Sequence, residues 1–143
     1  MKLKDQYKVL EFLDFGDDRG NLVVIEGDGI DIPFSIKRVF YIYGSDEEVM
    51  RGQHANRITE FVMVNVCGTS KVRIDNGYES TVIELNKPRM GLYLSSMVWK
   101  DMYEFSSDSI LLVMASMHYD SNEYIRNYDE FKKEIAIESE VQE

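Results

Sequence analysis

The sequence has one cysteine, two prolines and two histidines in 143 residues, and each scarcity removes a class of protein. A single thiol, Cys67, cannot close an internal disulfide, which excludes a cystine-stapled scaffold. Cys67 lies in the apolar run Phe61-Val62-Met63-Val64-Asn65-Val66-Cys67, where a buried, inert thiol is expected. No stretch approaches the roughly 20 apolar residues of a membrane helix. The chain opens on Met1-Lys2-Leu3-Lys4-Asp5, charged at once where a signal segment would turn apolar, so a cytoplasmic protein is the expectation. Basic residues are outnumbered as well: 16 Lys and Arg against 26 Asp and Glu give a net charge of −10. That balance repels nucleic-acid phosphates and anionic membrane surfaces, so neither is expected as a partner. An anionic ligand must then be gripped by a few local arginines.

What is present reads as β structure. The 44% hydrophobic content suffices for one core, and residues 1–143 are expected to form a single domain. Short β-rich runs recur at Asn21 to Glu26, Arg38 to Tyr43, Phe61 to Cys67, Lys71 to Ile74, Thr81 to Leu85, Gly91 to Leu94 and Ser109 to Ser116, a spacing typical of a sandwich or barrel. Gly27-Asp28-Gly29, Gly68-Thr69-Ser70 and Asp75-Asn76-Gly77 supply residues that tolerate positive φ and are read as hairpin turns. Only the C-terminal stretch changes period: Tyr124, Tyr128, Phe131 and Ile135 share a helical face, and Asp120 stands three residues before Glu123 as a capping box. One helix over about 121–137 is expected, followed by a frayed tail at 138–143.

The stretch with most chemistry is Arg51-Gly52-Gln53-His54-Ala55-Asn56-Arg57-Ile58-Thr59-Glu60. If extended, it points His54 and Asn56 to one face and Ala55 and Arg57 to the other. A lone histidine in a polar loop is ordinarily hydrogen-bonded and idle; here it is one of only two, among arginines, an asparagine and a glutamate. The spacing His54-x-Asn56-x-x-x-Glu60 followed by Gly68 resembles the first cupin motif, which uses two histidines and a glutamate to bind a metal. Here the second histidine is Asn56, and the region of the second motif, Asn86 to Leu94, has no histidine. Stable transition-metal sites need three or four good donors, so no metal is expected. Lys37, Arg38, Arg51 and Arg57 are candidates for phosphate, because guanidinium forks bind its oxygens bidentately. Phe40, Tyr41, Tyr43, Tyr93, Trp99 and Tyr103 are candidates for stacking or for plain core.

Over nearly its whole length the sequence resembles the dTDP-4-keto-6-deoxyglucose 3,4-ketoisomerases, small cupins of deoxysugar biosynthesis. The matching motifs are Asp18-Arg19-Gly20-Asn21-Leu22, Ile32 to Tyr43, Arg51-Gly52-x-His54-Ala55, Gly91-Leu92-Tyr93, Val98-Trp99 and Tyr124 to Phe131. The resemblance implies an all-β cupin (jelly-roll) barrel with one C-terminal α-helix and no cofactor. It also implies a homodimer with exchanged N-terminal strands, the Val9 to Phe15 run adding to the partner's sheet. The implied reaction moves protons on a dTDP-linked keto-deoxysugar: a base removes the C3 proton, an enediol forms, and C4 is reprotonated. On this sequence the catalytic set becomes His54, Asn56 and Tyr41, and the substrate-binding set Arg38, Arg51, Arg57, Glu60 and Trp99. The family's second histidine is Asn56, whose amide cannot pass a proton at neutral pH. Lys100 stands where the family often has another histidine, and Phe40 where it often has tyrosine. An active ketoisomerase, an epimerase variant and a silent nucleotide-sugar-binding cupin therefore all stay open, with Asn56 as the discriminating residue.

Overall fold

Side-chain alternation and short apolar runs bounded by turn residues account for most of the strands. In the computed structural model, which describes residues 1–142, the chain runs through β1 (Tyr7–Glu11), β2 (Leu13–Asp17), β3 (Gly20–Val24), β4 (Arg38–Tyr43), β5 (Arg51–Asn56) and β6 (Phe61–Cys67). It continues through β7 (Ser70–Asp75), β8 (Ser80–Leu85), β9 (Met90–Leu94), β10 (Trp99–Tyr103), β11 (Ile110–Ala115), the short β12 (Tyr124–Ile125) and helix α1 (Tyr128–Gln142). Two five-stranded antiparallel sheets, ordered β1-β9-β6-β11-β4 and β12-β5-β10-β7-β8, enclose the core, and β2 and β3 form a separate hairpin. From β4 to β12 every connection except the β7–β8 hairpin crosses from one sheet to the other. That crossing pattern is the jelly-roll barrel of a cupin.

The crossing corrects two of the expected turns. Gly68-Thr69-Ser70 carries the chain from β6 in one sheet to β7 in the other, and Gly27-Asp28-Gly29 opens the long loop between β3 and β4. Asp75-Asn76-Gly77 is a true hairpin, with Gly77 at φ 94° and its amide donating to Asp75 Oδ1 at 2.6 Å. Cys67 closes β6 half-buried, less enclosed than its apolar run suggests, because the strand end meets solvent there.

Apolar side chains gather in three places. Phe61 and Met63 of β6, Leu92 and Leu94 of β9 and Leu111 and Val113 of β11 meet Val72 and Ile74 of β7 and Met102 of β10 inside the barrel. Phe12, Ile32 and Phe34 cover the outer face of the first sheet over Val62, Val64 and Met114. Ala55, Met97, Trp99 and Ile125 form the outer face of the second sheet, closed by Phe131 of α1.

The helix starts later and ends later than its period indicates. Residues 121–123 form a 3-10 turn capped by Asp120, whose Oδ1 accepts from the Asn122 amide at 3.0 Å. Tyr124 and Ile125 then pair with β5. Asn127 is the cap of α1, accepting the Glu130 amide at 3.0 Å, and the helix continues through the segment expected to fray, to Gln142; Glu143 lies outside the described residues. The N-terminal run divides too: Phe12, 4% exposed, separates β1, paired with β9 of its own chain, from β2.

Phe131, with no exposed surface, pins α1 against Trp99 at 5.8 Å between ring centroids. Phe131→Ala is expected to lower unfolding stability by about 3–5 kcal/mol, against about 1 kcal/mol for removal of the helix cap in Asn127→Ala. Urea midpoints of the two variants check the order.

Candidate active site

His54 reaches the interior through an irregularity in β5. Lys100 pairs with His54 across β10 and β5, and Asp101 with Gly52, so Gln53 is the extra residue of a β-bulge. Gly52 and Gln53 take positive φ, 81° and 56°. At Gly52 a Cβ would stand 2.8 Å from the Lys100 carbonyl oxygen, so glycine is required for the strands to close at that point. The bulge turns the His54 ring back so that Nδ1 lies 3.0 Å from the Gly52 carbonyl oxygen. A carbonyl can only accept; Nδ1 therefore carries the proton, and Nε2 is left with a bare lone pair. The ring packs 4.9 Å from that of Tyr124. Burial, and then the charge of Lys100, push the His54 pKa down to about 4, so the imidazole is neutral at neutral pH.

Asn56, 1% exposed, is held from both ends. Its Nδ2 donates to Glu123 Oε1 at 2.9 Å, and its Oδ1 accepts from Lys100 Nζ at 3.4 Å. Glu123 also accepts the Thr59 hydroxyl and the amides of Ile58 and Thr59, each at 2.9 Å. Burial pushes the Glu123 carboxyl up, but the bonds from Thr59, Asn56 and Ile58 outweigh it and hold the pKa below the usual range. Lys100, 2% exposed, has no carboxylate within ion-pair distance among the described residues. Its Nζ lies 4.9 Å above the Phe61 ring, and burial lowers its pKa to about 7.

Arg38 enters from β4, whose alternation points Arg38, Phe40 and Ile42 inward and Val39, Tyr41 and Tyr43 outward. Its guanidinium lies between the rings of Phe40 and Tyr119, at 5.5 Å and 5.6 Å. Nη2 donates to Tyr124 Oη at 3.4 Å, and Nε is buried without a partner. A buried donor without an acceptor is costly, and an anionic group is the natural complement. The Arg126 guanidinium lies over the Tyr124 ring at 4.6 Å.

The structure thus brings together His54, Asn56 and Arg38 and separates the other expected residues from them. Tyr41 is 62% exposed on the outer face of β4, beside Tyr43, because alternation turns it away from the barrel. Trp99 faces out from β10 and is packed under α1 with Tyr128 and Phe131. Arg57 pairs with Glu134 of α1 at 2.6 Å and bonds the Asn122 carbonyl, on the face opposite His54. Glu60 accepts the Tyr93 hydroxyl on the outer side of the first sheet. Arg51 lies at the start of β5, its Nε 3.3 Å from Ser45 Oγ. The residues that the sequence reading passed over are Glu123, Tyr124, Tyr119 and Arg126. Their signal was hidden by reading 121–137 as one helix, which would carry Glu123 and Tyr124 away from the barrel.

With this geometry in hand, relatives are informative. The family model described as FdtA, WxcM-like, C-terminal matches residues 5–136. The chain belongs to the FdtA family. The TDP-4-oxo-6-deoxy-alpha-D-glucose-3,4-oxoisomerase of Aneurinibacillus thermoaerophilus is 46% identical over 129 residues, 90% of this chain and 92% of that protein. A 3,4-ketoisomerase from Helicobacter canadensis superposes with a TM-score of 0.88 at 39% identity, covering 91% of this chain and 97% of that one. A histidine-to-asparagine variant of the 3,4-ketoisomerase QdtA from Thermoanaerobacterium thermosaccharolyticum, in complex with TDP-4-keto-6-deoxyglucose, gives 0.88 at 41% identity and covers 91% of this chain and 94% of that one. All the residues gathered at the barrel end, from Arg38 to Arg126, lie within the FdtA match.

The depressed histidine has a measurable consequence in this FdtA-family fold. In the unfolded chain His54 titrates near the ordinary 6.5, and in the barrel at about 4. The neutral form is the one the fold accommodates, so the His54 contribution is fully present above pH 6.5 and is lost as pH falls toward 4. The ring-proton NMR midpoint of His54 is expected near pH 4, and one at or above the ordinary value would contradict the placement of the ring.

Proposed function

We propose that this FdtA-family protein is a 3,4-ketoisomerase acting on a dTDP-linked 4-keto-6-deoxyhexose by proton transfer through an enediol. The observation that carries the reading is the His54 imidazole, fixed through Nδ1 on the Gly52 carbonyl and presenting a free Nε2 in a half-buried polar end of the barrel. A general base needs that arrangement: a lone pair held in place and neutral at the working pH. Arg38, with its unpartnered Nε, supplies the group for a diphosphate, and Tyr119 and Tyr124 supply faces for a sugar or base.

The reaction is proposed to need no metal. The positions that would complete a cupin metal site hold an asparagine amide engaged by Glu123 and a buried lysine, and a cationic side chain there opposes a second cation. The proposed assembly is a homodimer with exchanged N-terminal strands, in the cytoplasm. Two features support the dimer: β4 is an edge strand of the first sheet, and Leu13, Phe15 and Leu22 of the β2–β3 hairpin are 65%, 56% and 62% exposed. A neighbour's hairpin laid on such an edge would satisfy both. Among the described residues no helix is long and apolar enough to cross a membrane.

A second reading, a silent nucleotide-sugar-binding cupin, is favoured by Asn56, which has no proton to give. Incubation with dTDP-4-keto-6-deoxyglucose in deuterium oxide separates the two by proton NMR. Loss of the C3 proton signal with formation of a 3-keto sugar is expected for the wild type, and a drop of about 10²–10⁴-fold for His54→Asn. Binding without any C3 exchange over hours would establish the silent protein. Arg38→Ala is expected to weaken nucleotide binding by about 1.5–3 kcal/mol in calorimetry. A monomeric mass by light scattering at micromolar concentration would contradict the dimer.

A further inference from the structure

The neutral asparagine at position 56 leaves one imidazole at a site whose reaction moves two protons. In a ketoisomerisation a carbon-bound proton leaves C3 and one arrives at C4, while an oxygen-bound proton leaves O3 and one arrives at O4. One base can serve the carbons, but the oxygens need their own carrier.

Lys100 occupies the place such a carrier would need. It is the direct cross-strand partner of His54, and such partners stand about 4.5–5.5 Å apart at Cβ on one face of a sheet. Its side chain is 2% exposed and its Nζ bonds a neutral acceptor, Asn56 Oδ1. Because Asn56 Nδ2 is committed to Glu123, the amide cannot flip, and its oxygen stays aimed at the amine. A buried lysine without a carboxylate partner is costly, and it is rarely kept for stability.

We propose that Lys100 is the oxygen-proton carrier of this site and that Asn56 is its positioning residue. The proposal rests on the ketoisomerase reading above. In the first half, His54 Nε2 takes the C3 proton, the C3–H pair becomes the C3=C4 bond, the carbonyl pair moves to O4, and O4 takes a proton from the Lys100 ammonium. The products are an enediol, an imidazolium and a neutral amine. In the second half, the amine takes the O3 proton, the O3–H pair becomes the C3=O bond, and the C3=C4 pair takes the His54 proton at C4. Both side chains return to their starting forms, with no outside reagent. A pKa lowered to about 7 lets the amine cross between its forms at neutral pH. The other charged groups of the site are His54 on β5, Glu123 before β12, Arg126 after it and Arg38 on β4. His54 is neutral when Lys100 titrates, so it does not oppose the ammonium, whereas the ammonium is present when His54 titrates and depresses it.

Three proteins test this with the dTDP-4-keto sugar: wild type, Lys100→Met and Lys100→Arg. Methionine removes a desolvated cation and should leave the fold intact, checked by the thermal melt; arginine keeps the charge but does not release a proton. Both variants are expected to lose about 100-fold or more in kcat while binding dTDP within about tenfold of wild type. The wild-type kcat/KM should fall as pH rises through about 7, a limb missing from Lys100→Met. Asn56→His in the Lys100→Met background should regain turnover, because it returns a proton-carrying group to the same spot. Turnover of Lys100→Met or Lys100→Arg within about threefold of wild type, with an unchanged pH limb, would overturn the proposal, as would loss of dTDP affinity in step with kcat. A wild type that neither isomerises nor exchanges the C3 proton would remove the ketoisomerase reading itself, and Lys100's role with it.

Discussion

The pairing of β5 with β10 across the Gly52–Gln53 bulge is the constraint on which the site depends. Without the extra residue, strict alternation would keep His54 and Gly52 in phase along a regular strand, with no reason for Nδ1 to return to the Gly52 carbonyl at 3.0 Å. The bulge supplies that carbonyl and sets the ring's tautomer. It also places His54 opposite Lys100, where an unbroken register would set it opposite Trp99. The positive φ at Gln53 is strained backbone held by a ladder that continues on both sides of β10, from β5 to β7.

Glu123 is the second fixed point, and it explains why an asparagine at position 56 is not simply a missing histidine. The carboxylate receives the Asn56 amide, the Thr59 hydroxyl and the backbone amides of Ile58 and Thr59. It thereby ties the segment before β12 to the end of β5 and the turn into β6. Tyr124 follows directly and pairs with Asn56 in register, which sets its hydroxyl against Arg38 and its ring against His54. One buried carboxylate thus orients an amide, and through the amide an amine.

Much of this was legible in the sequence where the rule involved is local. The strands from Arg38 to Tyr43 and Phe61 to Cys67 coincide with β4 and β6, because alternation and apolar run length are local properties. The same alternation put His54 and Asn56 on one face in the sequence, and the structure turns both inward, near Arg38. Trp99 to Tyr103 was not read as a strand: Trp99-Lys100-Asp101-Met102-Tyr103 puts its lysine inward, and only Asn56 and Phe61, far away in sequence, make that placement tolerable. Arg57 and Trp99 resemble site residues by type, yet they serve the outer face under α1. Tyr124 followed the helical period by chance of spacing, and the Asn56 pairing overrode it. Register and bulges are set by neighbours across the sheet, and no reading of one strand at a time recovers them.

The charge distribution closes the physical account. A chain of net charge −10 repels anions on the whole, yet Arg38, Arg126 and Lys100 collect at one end of its barrel, where Glu123 is the opposing carboxylate already committed to four donors. Guanidiniums over Tyr119 and Tyr124 would attract an anion that comes within a Debye length. The deeper lysine responds in the opposite sense. Burial drives it toward the neutral amine, and a bound dianion nearby would favour the ammonium again. On the proposed mechanism, substrate binding and the protonation of Lys100 are therefore coupled: an anion held by the arginines would also ready the proton that O4 must receive.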